Sequence, residues 1–120
     1  MAAAQARLIY KIAPRALWQA AEAAGRFIGA PVDVADGFIH FSTAGQVAET
    51  AAKHFAGQDD LLLVAVRVEH LPAELLRWEP SRGGDLFPHL YGPLALEAVA
   101  YVRELPLGPH GRHLFPALEG

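Results

Sequence analysis

Cysteine is absent from the 120 residues. That one absence excludes disulfides, thiolate nucleophiles and cysteine-based zinc sites together. Long apolar runs are missing as well: none approaches the ~20 residues of a membrane-spanning helix. The Ala-rich start, from Met1 to Ala6, lacks the apolar core of a secretion signal. No one sign of charge dominates either. Ten Lys and Arg are interspersed with thirteen Asp and Glu, for a net charge of −3, so no broad nucleic-acid surface is expected. The chain also has no Gly-x-Ser-x-Gly elbow, no Walker loop and no dinucleotide fingerprint. The expectation is a soluble cytoplasmic protein with no membrane contact; the sequence names no protein partner.

Apolar residues make up 52% and charged residues 19%, enough to build a core and too few charges for disorder. A single domain is expected over residues 1–120, with its core at about 7–105 and a turn-rich tail at 106–120. Residues 8–12 form a first strand. Pro14 suits the first turn of a helix that runs to Ala24 and stops at Gly25, with Trp18 beside its apolar stripe. Residues 26–36 carry Gly29, Pro31 and two aspartates, and read as a loop. A second strand spans 38–41. A second helix starts near Thr43, which has capping-box spacing to Gln46 with Ser42 a competing cap, and runs to His54 or Phe55. Its inner stripe is Val47, Ala51 and Phe55. Residues 61–68 are an almost unbroken apolar run, expected as a strand covered on both faces. One helical turn at 72–76, an edge strand at 77–79, an extended segment at 87–91 and one long strand at 94–104 complete the reading. Two main helices in the first half and strands gathered in the second indicate an α+β fold.

Two polar clusters stand out. In Asp36-Gly37-Phe38-Ile39-His40-Phe41-Ser42-Thr43 an apolar strand delivers one imidazole and then turns through two hydroxyls into a helix start. Helix starts offer unpaired N–H groups and a positive dipole end to an anion. His40 is either a pocket residue or a core histidine satisfied by backbone; Ser42 and Thr43 are either ligand contacts or plain caps. In Arg82-Gly83-Gly84-Asp85-Leu86-Phe87-Pro88-His89-Leu90-Tyr91-Gly92, the two-residue spacing of His89 and Tyr91 places imidazole and phenol on one face of an extended segment. That pair could transfer protons or pack as an edge, and Arg82 could clamp an anion or sit in a solvated turn. Glu79 could orient His89 or make a surface salt bridge. The six histidines do not form a spacing signature for a metal, and none is expected.

The combination of Ile9-Tyr10-Lys11-Ile12, Trp18, the segment 36–43, Gln46, His54-Phe55, Asp60-Leu61-Leu62-Leu63-Val64 and Phe87-Pro88-His89-Leu90-Tyr91-Gly92 resembles a bacterial family of uncharacterised proteins, domain of unknown function 952. The likeness spans nearly the whole chain. That family in turn is distantly similar to the ADP-ribosyltransferase superfold. The resemblance implies a split β-sheet cleft that binds NAD, ADP-ribose or another phosphorylated nucleotide, with NAD a possible substrate or ligand and no firmly bound cofactor. It implies catalytic places for His40, His89 and Tyr91, and ligand contacts for Tyr10, Lys11, Ser42, Thr43 and Arg82. Ribosyl or phosphoryl transfer or hydrolysis would follow; the alternative is a non-catalytic ligand- or protein-binding module. Two positions depart from the transferase pattern. Tyr10-Lys11 stand where a first-strand histidine is usual, and Tyr91 stands near the place of a catalytic glutamate.

Overall fold

The computed structural model describes residues 6–119, with Arg82 described through its backbone alone, so residues 1–5 of the Ala-rich start and the Arg82 side chain lie outside the described residues. In chain order the elements are β1 (Leu8–Pro14), α1 (Arg15–Ala24), β2 (Arg26–Phe27), α2 (Pro31–Asp36), β3 (Ile39–His40), α3 (Val47–His54), β4 (Leu61–Arg67), β5 (Leu76–Pro80), β6 (Leu86–Leu90), β7 (Leu94–Ala95) and β8 (Val99–Leu105). Helices and antiparallel sheets mix as α+β.

The apolar run becomes β4, the centre of an antiparallel sheet ordered β1-β4-β8. An apolar stretch without alternation needs cover on both faces, and Leu61 through Val66 are all buried. Period-two alternation splits the core accordingly. Ile9, Leu62, Val64 and Val66 face a cluster with Trp18 and Phe27. Tyr10, Ile12, Leu61, Leu63 and Ala65 face Val47 and Ala51 of α3. Trp18 is therefore a core anchor, packed against the Phe27 ring at 5.5 Å.

A second sheet is ordered β3-β6-β5, and β2 pairs with β7. The two larger sheets are bridged through backbone between Tyr10 and Ser42. Tyr10 and Ser42 exchange backbone hydrogen bonds of 2.8 and 2.9 Å, which tie the free edge of β1 to the residues just after β3. A cleft of about 610 Å³ opens between the β1 edge, α2, α3 and β6.

Several expectations about elements change, among them the helical turn at 72–76, which is a plain turn running into β5. Residues 26–36 are not a plain loop: they hold β2 and the six-residue α2, whose Pro31 starts the first turn and whose Asp33 carboxylate accepts from the Ala30 N–H at 2.7 Å. The second helix begins at Val47 rather than Thr43. Residues 43–46 form a turn closed onto the Thr43 carbonyl, and the Gln46 side chain accepts from the Thr43 N–H at 3.0 Å. The expected strand 94–104 is interrupted by a 3₁₀ turn at 96–98, because β7 pairs with β2 whereas β8 pairs with β4. The tail returns to the core: Phe115 and Leu118 pack against it, and the Tyr10 hydroxyl donates to the Glu119 carbonyl at 2.8 Å and accepts from its N–H at 2.9 Å. Among the described residues no helix is long and apolar enough to cross a membrane.

Candidate active site

Antiparallel register sets His40 of β3 opposite His89 of β6, and His89 in turn opposite Arg77 of β5. With side chains alternating along each strand, these residues share a face with Phe38, Glu79, Phe87 and Tyr91. Phe38 sits at the hub of the rings. It stacks on His89 at 4.2 Å and lies tilted against His40 at 4.5 Å and Tyr91 at 5.1 Å. The two imidazoles meet edge-on at 5.4 Å.

On the β5 side, Glu79 Oε1 gathers two partners. His89 Nδ1 lies 2.7 Å away, and the Tyr91 hydroxyl donates to the same oxygen at 2.7 Å. The Tyr91 bond first, and then the His89 bond, hold the Glu79 carboxyl below the usual carboxylate range; the same bond pushes the Tyr91 phenol up. The Arg77 guanidinium lies over the Tyr91 ring at 5.2 Å. His89 is buried and lines the cleft. With Nδ1 donating to Glu79, Nε2 is the ring nitrogen left to meet a ligand, and among the described residues it has no partner. A carboxylate that fixes one imidazole nitrogen and leaves the other as acceptor is the usual arrangement of a general base.

On the other side, Asp33 is the hub. Its buried carboxylate takes Lys11 Nζ at 2.8 Å on Oδ2, the His40 N–H at 3.1 Å on Oδ1, His40 Nδ1 at 2.6 Å on Oδ1, and the Ala30 N–H. Burial alone would push this carboxyl up. The His40 bond, the Lys11 charge and bond, and the Ala30 N–H together hold it down at about 2. Burial lowers Lys11, and the Asp33 carboxylate acts against that lowering. Lys11 also donates to the His40 carbonyl at 3.0 Å. At the rim, His40 Nε2 faces Asp36 Oδ2 at 3.0 Å. Both ring nitrogens of His40 thus have a carboxylate oxygen nearby: the Asp33 contact is a hydrogen bond, and the Asp36 contact is an ion-pair distance.

Of the residues expected at the site, Lys11, His40, Ser42 and His89 line the cleft. Ser42 Oγ is bonded to Thr50 Oγ1 at 2.8 Å, and the helix start lies five residues on, so the hydroxyl and the helix dipole do not act together. Tyr10 contributes to the wall, yet its hydroxyl is committed to Glu119. Thr43 belongs to the turn before α3, and Tyr91 reaches the site through Glu79. Asp33 was not singled out from the sequence, and Asp36 stood at the head of the segment 36–43 without a role of its own. The readable signal was the six-residue cassette itself: Pro31 at the first helical position, Asp33 two residues on, and Gly37 as stop. Among the described residues no group of three or more His, Asp and Glu side chains is placed to hold a metal ion.

Residues 12–102, which contain Asp33, His40, Glu79 and His89, match the family described as protein of unknown function (DUF952). The chain belongs to the DUF952 family. It is similar to Protein CC0527 from Caulobacter crescentus in its X-ray crystal structure, at 54% identity over 89% of this chain and 93% of that one, with a TM-score of 0.86. The solution NMR structure of CC0527 is similar at 55% identity over 88% and 90% of the two chains, with a TM-score of 0.79. No curated protein matches. The family resemblance read from the residues therefore holds for this DUF952 chain.

Proposed function

We propose that the cleft of this DUF952 chain binds a phosphorylated nucleotide such as NAD or ADP-ribose, and that His89 serves as its proton-transfer group. The observation that carries the reading is His89, bonded to Glu79 at 2.7 Å and itself on the wall of a cleft of about 610 Å³. That volume is within the range of roughly 300–1,000 Å³ usual for small-molecule sites. Phe41, Phe55 and Phe87 give the cleft apolar wall for a base or ribose, and polar groups converge from β1, β3 and β6. Support for the ADP-ribosyltransferase-like analogy is an outline only: two sheets bridged between Tyr10 and Ser42 and parted by a cleft. The carboxylate missing from the Tyr91 position is supplied across the sheet by Glu79, 2.7 Å from the Tyr91 hydroxyl. In transfer or hydrolysis at a ribosyl or phosphoryl centre, His89 Nε2 would take the proton of the attacking hydroxyl or water, while Glu79 holds the ring. The fold alone does not assign chemistry, and the reading rests on these side chains.

A second reading, a binding module without turnover, is favoured by one observation: Lys11, His40 and Ser42 are all engaged by neighbours within the chain. One titration separates them from an empty fold. Labelled protein titrated with NAD and ADP-ribose is expected to show saturable amide shifts in residues 38–42 and 87–91, weakened in His89→Ala. Binding followed by product formation supports the enzyme; binding without it supports the module. Absence of shifts at millimolar ligand contradicts both.

A further inference from the structure

The rim contact between His40 and Asp36 differs in kind from the rest of the network. Asp33 is enclosed, and its four donors hold it in place. Asp36 is half-exposed, with 46% of its side-chain surface accessible, and among the described residues its one ion-pair partner is His40 Nε2 at 3.0 Å. Both side chains line the cleft. The Asp36 carboxylate therefore stands 3.0 Å from the ring nitrogen that an anion inside the cleft would meet.

Charge accounting gives the same answer. Lys11 is neutralised by Asp33 at 2.8 Å. The same Asp33 carboxylate also holds His40 Nδ1, and Asp36 places a second carboxylate at His40 Nε2. A phosphate that enters with Asp36 in place meets that carboxylate at the rim; one that takes over Nε2 meets an imidazole whose other nitrogen is already held by Asp33. The exchange needs only rotation of a half-exposed side chain, whereas moving Asp33 would strand Lys11.

Resting on the nucleotide reading above, we propose that His40 Nε2 is the anion-binding position of the cleft, that Asp36 holds it as a built-in competitor in the empty protein, and that a phosphorylated ligand binds by displacing Asp36. Asp36 then sets selectivity: it discounts weak anions and yields to a ligand whose nucleoside also gains contact with the cleft wall. His40 is a binding residue in this scheme, and proton transfer stays with His89.

The test is calorimetric titration of the wild type, Asp36→Asn and the double variant Asp36→Asn/His40→Ala with AMP, adenosine and inorganic phosphate, with thermal melts confirming that each is folded. The inference expects Asp36→Asn to bind AMP roughly two- to five-fold more tightly, the worth of one half-exposed ion pair. Adenosine affinity should not change, and the double variant should lose the gain. AMP binding to the wild type with no gain in Asp36→Asn overturns the competitor role and leaves the nucleotide reading standing. A gain for phosphate, with AMP no tighter than phosphate, supports the anion position and removes the nucleotide reading. No binding of any probe to any variant overturns both.

Discussion

At the scale of single residues, Asp33 concentrates more of the site's energetics than either histidine. A buried carboxylate is tolerated only when its lone pairs are filled, and here Lys11, Ala30 and both nitrogens of the His40 backbone and ring fill them. Asp33→Asn keeps the shape but turns an amide donor toward donors and leaves the Lys11 charge buried alone. A loss of about 3–5 kcal/mol is expected in urea denaturation, the usual cost of breaking one side of a buried pair. The acid limb should report the same residue. The folded-state value of Asp33 lies below its ordinary 3.8, at about 2. Its contribution is therefore fully present above the ordinary value and is lost as pH falls through about 2, amounting to about 2 kcal/mol. Urea midpoints measured from pH 5 down to pH 2 should fall more steeply in the wild type than in Asp33→Asn. An equal slope in both would assign the acid sensitivity elsewhere.

At the scale of elements, α2 decides whether the two carboxylates reach the cleft. It is bounded by Gly29 and Gly37, both at positive φ (115° and 89°). A Cβ on Gly29 would lie 2.7 Å from the Asp33 Cβ, whereas one on Gly37 meets nothing within 4 Å. Gly37→Ala is expected to cost about 1 kcal/mol from backbone strain alone, and Gly29→Ala more, up to about 3 kcal/mol. Only Gly29→Ala should also shift the His40 resonances, because only there must Asp33 move. This element marks the limit of what was legible beforehand. β1, α1 and β4 are long enough for periodicity and end signals to place them, and His40 and His89 stood out as polar groups on apolar strands. α2 has six residues, fewer than two turns, so no stripe can form, and its Gly and Pro read as loop punctuation. Asp33 was hidden with it. Glu79 was visible as a possible partner of His89, but its simultaneous bond to Tyr91 depends on the register of β5 against β6, which residue patterns do not encode. The break between β7 and β8 was illegible for a related reason, since it arises from a change of partner strand.

At the scale of the whole molecule, the fold is closed by contacts between distant parts of the chain. Tyr10 joins the two sheets through its backbone and holds the tail through its hydroxyl, 109 residues away in sequence. Burial first, and then the Tyr101 hydroxyl, push the Tyr10 phenol up to about 12 from 10.0. The sign follows from the raised value. The contribution of Tyr10 is complete below pH 10 and is lost as pH rises through about 12. Tyr10→Phe removes both bonds to Glu119, with an expected loss of about 1 kcal/mol at neutral pH and a weaker alkaline decline in melting temperature. An unchanged alkaline decline would mean that the tail is not held by this hydroxyl.

The same architecture leaves the cleft as the place where both sheets present polar groups at once. A second hollow of about 450 Å³, lined by Arg26, Ile28, Asp33, Phe38 and Pro93 among others, has neither Glu79 nor His89 in its lining. A crystal structure with ADP-ribose therefore bears most directly on the central claim. The account predicts ligand density in the cleft between β1 and β6, with a polar ligand atom within hydrogen-bond distance of His89 Nε2. Density in the second hollow, or an empty cleft at saturating ligand, would contradict it.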